Sequence, residues 1–162
     1  MSRPDTPRPG ADPAELVTEM VDRVLALAAS WPRWDGKPIE VDSPEPGEQR
    51  RTYTPHKAVR RVADHLIDHL AEMEARLGGQ VTEPDRWHGS GTTTPADLAP
   101  FTAEDLDEAR SRLGRLAQIW SARIRRLSDD ELDRKQEDAR TIRELAVHLA
   151  ESSYYAEAVG EL

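Results

Sequence analysis

A chain of 162 residues with 37% hydrophobic and 33% charged side chains is sized for one domain with a single core. Its low apolar share suits narrow buried stripes on exposed helices better than a sheet covered on both faces. The 22 basic and 31 acidic side chains leave a net charge of −9, which disfavours nucleic acid or an anionic membrane as main partner, since both need a basic face.

The opening "MSRPDTPRPG" lacks the apolar core of a signal peptide, so a disordered tail over residues 1–11 and one cytoplasmic domain over 12–162 are expected. A first helix is predicted at about 12–31, capped by Asp12 with Pro13 at its first position and carrying Leu16, Met20, Val24, Leu27 and Trp31 at helical spacing. Its run Val24 to Ala29 is the longest apolar stretch, far below the ~20 residues of a bilayer span. Residues 32–54 read as a loop, with Trp31 and Trp34 flanking Pro32 as a staple for the helix end. A second helix follows at about 55–77, with Thr54 as cap, Val59, Val62, Leu66, Leu70, Met73 and Leu77 as its stripe, and Gly78-Gly79 as its stop.

Residues 79–101 read as a long crossover loop with "PDRWHGSGTTTP" at its centre. All 12 prolines lie at or before Pro100, so the remainder can be almost uninterrupted helix. A third helix is predicted at about 102–127, opened by "TAED", then a short helical turn in "SDDELDRK", then a fourth helix at about 141–160 opened by "TIRE". No segment alternates with period two for long, so no substantial sheet is expected. Four such helices make an all-α four-helix bundle. The crossover could span roughly 75 Å if extended, long enough for an up-down-down-up order.

The second and fourth helices share a pattern. "AVRRVADHLID" (58–68) aligns with "TIRELAVHLAE" (141–151), matching Arg60 to Arg143, Ala63 to Ala146, His65 to His148 and Leu66 to Leu149. At about 100° per residue, His65 lies about 100° from Leu66, His69 about 60° on the same side, and His148 about 100° from Leu149. Each helix therefore carries a polar edge beside its apolar stripe, and three imidazoles at one locus would suit zinc, nickel or iron(II). The bland alternative is a set of solvated or hydrogen-bonded histidines beside Asp64 and Asp68. Cysteine is absent, so no thiolate ligand or nucleophile competes for that role and no disulfide forms.

The stretches "TPHKAVRRVADHLIDHLAEMEARL" and "LSDDELDRKQEDARTIRELAVHLAESSYYAEAV", separated by the long mid-chain loop, resemble the DinB/YfiT-like superfamily over about residues 12–160. The resemblance implies an up-down-down-up bundle that holds a divalent metal on three histidines near one end. It also implies thiol-dependent chemistry of the kind found in mycothiol-dependent maleylpyruvate isomerases and bacillithiol-type S-transferases. By position His65 matches the second-helix ligand and His148 the first ligand of the last helix. The family's second ligand on that helix falls on Ser152 here, so His69 is assigned as the third ligand, with His88 of the loop as the alternative.

Trp87 and His88 are candidates to cover a pocket mouth and contact substrate, or simply to pin the loop. Tyr155, on the edge of His148, is a candidate phenol donor to a bound ligand, or a packing residue. Arg123, Arg125 and Arg126 could bind an anion, although a solvated face is the commoner role of such a run. The leading expectation is a metal-dependent enzyme acting on a small molecule, with any low-molecular-weight thiol arriving as cosubstrate. The alternatives are a bundle that has lost the metal and binds a small ligand or protein partner, and a structural homodimer.

Overall fold

The computed structural model describes residues 10–42, 47, 50–137 and 139–162. Residues 1–9 of the expected tail and part of the loop 32–54 lie outside them. The described chain is mostly helical. Helix α1 spans Pro13–Ala28, α2 Pro55–Leu77, α3 His88–Gly91, α4 Ala103–Ile124, α5 Asp129–Leu132, α6 Ile142–Ala150 and α7 Tyr154–Glu157. Against the expectation of plain loop, residues 32–54 contain a two-stranded antiparallel ribbon, with β1 at Ile39–Val41 paired to β2 at Arg51–Tyr53 in the register Ile39↔Tyr53.

Capping chemistry sets the helix starts. Asp12 accepts from the Ala14 amide and Thr54 from the Lys57 amide, each directly before a proline that needs no partner. Thr102 with Asp105, and Thr141 with Glu144, form reciprocal capping boxes at α4 and α6. Helix α2 stops where Gly79 adopts a φ of +70°. That turn lets the Gln80 amide donate back to the Ala75 carbonyl over 2.8 Å, closing the helix end.

The core lies between α1, α2, α4 and α6. Val17, Val24, Val62, Leu66, Leu113, Trp120, Leu145 and Leu149 are fully buried, the stripe positions of their helices. Helix α1 packs against α4 and α6, and α2 against α4 on one side and α6 with α7 on the other. The tryptophan indoles tie distant segments together. Trp31 donates to the Gly160 carbonyl (2.8 Å) and meets Phe101 edge to face, while Trp120 donates to the Leu66 carbonyl (3.0 Å). Trp34 donates locally to the Lys37 carbonyl.

The fourth helix is not continuous as expected. After Ala150 the chain tightens into a 3₁₀ turn at Glu151–Ser153 before α7. Paired serines are weak helix formers whose hydroxyls compete for local partners, and Ser153 Oγ donates to Glu157.

The crossover is ordered against the first half of α2. Arg60 holds Asp97 through Nε (3.1 Å) and Nη2 (2.7 Å), and reaches the Ser90 and Thr92 carbonyls at 2.9 Å each. Arg143, its counterpart in the repeat, grips Asp129 and Asp133 beside α5. Both arginines therefore fasten a connecting segment to a histidine-bearing helix.

Candidate metal centre

His65, His69 and His148 converge in space. Each offers one ring nitrogen, and these atoms lie within 4.8 Å of one another. His65 and His69 are buried and His148 half-buried. Helix α2 supplies the first two from successive turns, and α6 supplies the third. The Nε2 atoms of His65 and His148 are 3.0 Å apart, so one ring donates its N–H to the other's lone pair.

The outward nitrogens are held by other groups. His69 Nδ1 donates to Glu72 over 2.6 Å, which leaves its Nε2 as the lone pair available to a cation. Glu72 also faces Arg76 at 3.4 Å. His148 Nδ1 lies 3.7 Å from Glu151. His65 Nδ1 lies 3.4 Å from the Tyr155 hydroxyl, whose oxygen accepts from Arg61 Nη2 over 2.9 Å. A carboxylate behind an imidazole fixes its tautomer and raises its basicity, the usual setting of metal-bound histidine.

The donor set fits a divalent ion. Ring nitrogens bound tetrahedrally at ~2.0–2.1 Å sit roughly 3.3 Å apart. The His65–His148 pair, at 3.0 Å, already meets that spacing, and the set as a whole, within 4.8 Å, is wider by up to about 1.5 Å. Burial, followed by the positive charge of His69 and His148 when protonated and of Arg61 and Arg140, pushes His65 down to about 3. His148 is pushed down too, by burial and then Arg140 and His69 against the opposing pull of Glu151. Both imidazoles are thus neutral near pH 7, the protonation state that ligates a metal. Glu72 is held below the usual carboxylate range, first by its hydrogen bond from His69.

Other candidates take varied places. Trp87 packs on His65 (ring centroids 5.0 Å) and His69 (6.2 Å), with Arg61 over its indole face. Tyr155 stands behind His65, with Arg61 stacked on its ring at 4.6 Å. His88 is exposed at the start of α3 and is not part of the three-histidine group. Ser152 is buried, and its hydroxyl has no hydrogen-bond partner among the described residues. Arg123 pairs with Glu74, and Arg125 with Glu15. A cavity of about 540 Å³ opens beside His69 and Glu72, lined also by Thr82, Glu83, Asp85 and Arg140.

Sequence reasoning missed Glu72, Glu151 and Arg61. A signal for the first two was present: the tetrapeptide His-Leu-Ala-Glu occurs at both 69–72 and 148–151. On a helix, residues three apart are neighbours, so each copy places a carboxylate beside its imidazole. By this measure His69, as much as His65, is the counterpart of His148. Compared with known proteins, the chain matches no family model, no curated protein and no solved structure.

Proposed function

We propose that the protein is a metal-dependent enzyme acting on a small molecule, with His65, His69 and His148 holding zinc, nickel or iron(II) in a DinB-like up-down-down-up four-helix bundle. The observation that carries the reading is the convergence of three imidazoles within 4.8 Å, with His69 oriented by Glu72.

End-to-end contacts support the bundle order. Glu15 near the start of α1 pairs with Arg125 after α4, and Trp31 after α1 meets Phe101 before α4. Glu74 and Arg123 join the late turns of α2 and α4, while Thr54 and Asp97 join the segments before them. Arg76 near the end of α2 reaches Gln136 before α6, and Tyr53 before α2 meets Tyr154 after it. Helices α1 and α6 then run one way, and α2 and α4 the other.

When bound, a divalent ion supplies Lewis acidity that makes the anion of a thiol or water available near neutral pH. The chain's own groups orient and shield that chemistry. Glu72 holds the His69 tautomer, and Tyr155 with Arg61 backs His65. Trp87 covers the imidazoles and limits water. The chain contains no cysteine, so in a transferase or isomerase of thiol type the sulfur arrives with a low-molecular-weight cosubstrate. Ser152, standing where the resemblance implies a further histidine, favours the second reading: a bundle without metal that binds a small ligand or a protein partner.

Elemental analysis of untagged protein purified without chelators separates the two. Near-stoichiometric zinc, nickel or iron that disappears in a His65→Ala/His148→Ala double variant is expected. Substoichiometric metal, unchanged in that variant, overturns the metal reading.

A further inference from the structure

A second cavity, of about 400 Å³, adjoins the histidine centre through two shared residues, Trp87 and Arg61. In a chain of net charge −9, its lining among the described residues includes four cations, Arg50, Arg51, Lys57 and Arg61, and no carboxylate. Arg61 donates to the Ser90 hydroxyl and the Tyr155 hydroxyl, and Lys57 to the Thr52 carbonyl and the Thr93 hydroxyl. Among the described residues these two cations hydrogen-bond only neutral groups, so their charge is oriented without being neutralised. The carboxylates in the field of Lys57 are engaged elsewhere, Asp97 by Nε and Nη2 of Arg60 and Glu40 by the Thr52 hydroxyl. Arg50 does pair with Asp42 at 3.0 Å, but both are largely exposed and such a pair is weak.

The cost of this arrangement is visible at Lys57. It is buried with its charge, and burial lowers its pKa. Lys57 and Arg61 lie close together with no carboxylate bonded to either among the described residues, and a cavity lined by one sign of charge concentrates ligands of the opposite sign. Guanidinium groups add geometry, because their planar forks match carboxylate and phosphate oxygens two at a time. The volume suits a small molecule, and Trp87 offers an apolar face beside the charges.

We infer that this cavity binds a small organic dianion, a dicarboxylate or a phosphomonoester, whose charged groups meet Arg50, Arg51, Lys57 and Arg61 and whose body lies against Trp87. The inference rests on the metal-enzyme reading only in taking that dianion as substrate, placed next to the histidines. Arg61 is the positioning residue between the two sites, since it lines the cavity and also holds the Tyr155 hydroxyl behind His65.

The test is a calorimetric titration of the full chain at low salt with succinate, with glycerol 3-phosphate and with the neutral succinamide, each with zinc added and with zinc chelated. One dianion is expected to saturate, succinate identifying a dicarboxylate site and glycerol 3-phosphate a phosphomonoester site. Succinamide is expected to bind at least about tenfold more weakly, and Arg61→Met to weaken the dianion about tenfold or more. Arg50→Gln, on the exposed rim, is expected to weaken it severalfold without disturbing the fold, which circular dichroism checks. No saturation by either dianion up to ~10 mM, or equal binding of succinamide, overturns the inference. So does affinity unchanged in both variants. Dianion binding without zinc uptake would sustain this site while the metal reading falls. Zinc uptake with no dianion binding would do the reverse.

Discussion

His65 and His148, 83 positions apart in sequence, bring their Nε2 atoms to 3.0 Å. That contact admits at most one protonated ring, because two imidazolium N–H groups would face each other. Burial and neighbouring cations push His65 down to about 3, and His148 shifts in the same direction. An unfolded histidine titrates at ~6.5, so between that value and about 3 the unfolded chain takes a proton that the folded chain refuses. The stability these rings contribute is therefore intact above pH 6.5 and is lost as pH falls. For His65 alone the loss from pH 6.5 to 4.5 is about 2–3 kcal/mol. Urea unfolding of chelator-treated protein should show it, and His65→Phe should flatten the slope. A variant with the wild-type pH dependence would refute the assignment.

The Glu72 carboxylate is the second expectation. It accepts from His69 Nδ1 at 2.6 Å, so it holds the ring with Nε2 turned to the metal. Glu72→Gln keeps the shape and removes the charge. Loss of such a partner costs ~10–100-fold in metal affinity, measurable by competition with a zinc-binding dye. Glu151→Gln, at 3.7 Å from His148, should cost less. Equal losses in the two variants would mean that the His69–Glu72 bond has no special role.

Much of this was legible in the sequence because it is local. Asp12, Thr54, Thr102 and Thr141 are caps within a turn of the groups they serve, and the stripe through Leu66 and Leu149 follows from helical periodicity. The approach of His65 to His148 could be anticipated because both sit at one angular offset from their stripes. What was hidden depends on three dimensions or on departures from ideal geometry. The 3₁₀ turn at Glu151–Ser153 breaks the regular rotation on which a helical wheel relies. Arg61 acts through residues 29 or more positions away, and nothing in its neighbours' identities announces Ser90 or Tyr155. The ribbon was missed because its strands are three residues each, too short for alternation to register.

Trp120 supports the helix that carries two of the histidines. It is fully buried, and its indole N–H donates to the carbonyl of Leu66, the residue after His65. Trp120→Phe removes that donor and leaves a void, a loss of roughly 2–4 kcal/mol. Thermal unfolding should show it as a lowered midpoint. Added zinc should raise the midpoint of wild type and variant alike, since a ligand bound only by the folded state stabilises it. A loss below ~0.5 kcal/mol would mean that α2 does not depend on this contact.

The Arg60–Asp97 pair decides whether the crossover stays on α2 and Trp87 stays over the histidines. Asp97 is buried, and burial alone would raise its pKa. The bonds from Arg60 and from the Thr94 amide and hydroxyl outweigh this and hold it below the ordinary carboxylate range. The resulting stability is present above ~3.9, the unfolded value, and is lost as pH falls through the still lower folded value. Asp97→Ala strips Arg60 of its hydrogen-bonded carboxylate and leaves it the Ser90 and Thr92 carbonyls as hydrogen-bond partners, a loss of about 1–3 kcal/mol. It also frees the loop carrying Ser90 and Trp87. Limited proteolysis of this variant should cut within residues 79–101 before the helices are attacked, while wild type resists there. Asp97→Asn, which keeps acceptors for Thr94 but lacks charge for Arg60, should fall between the two. Were the loop of Asp97→Ala as resistant as wild type, the anchoring would have to come from Lys57 and Arg61 instead.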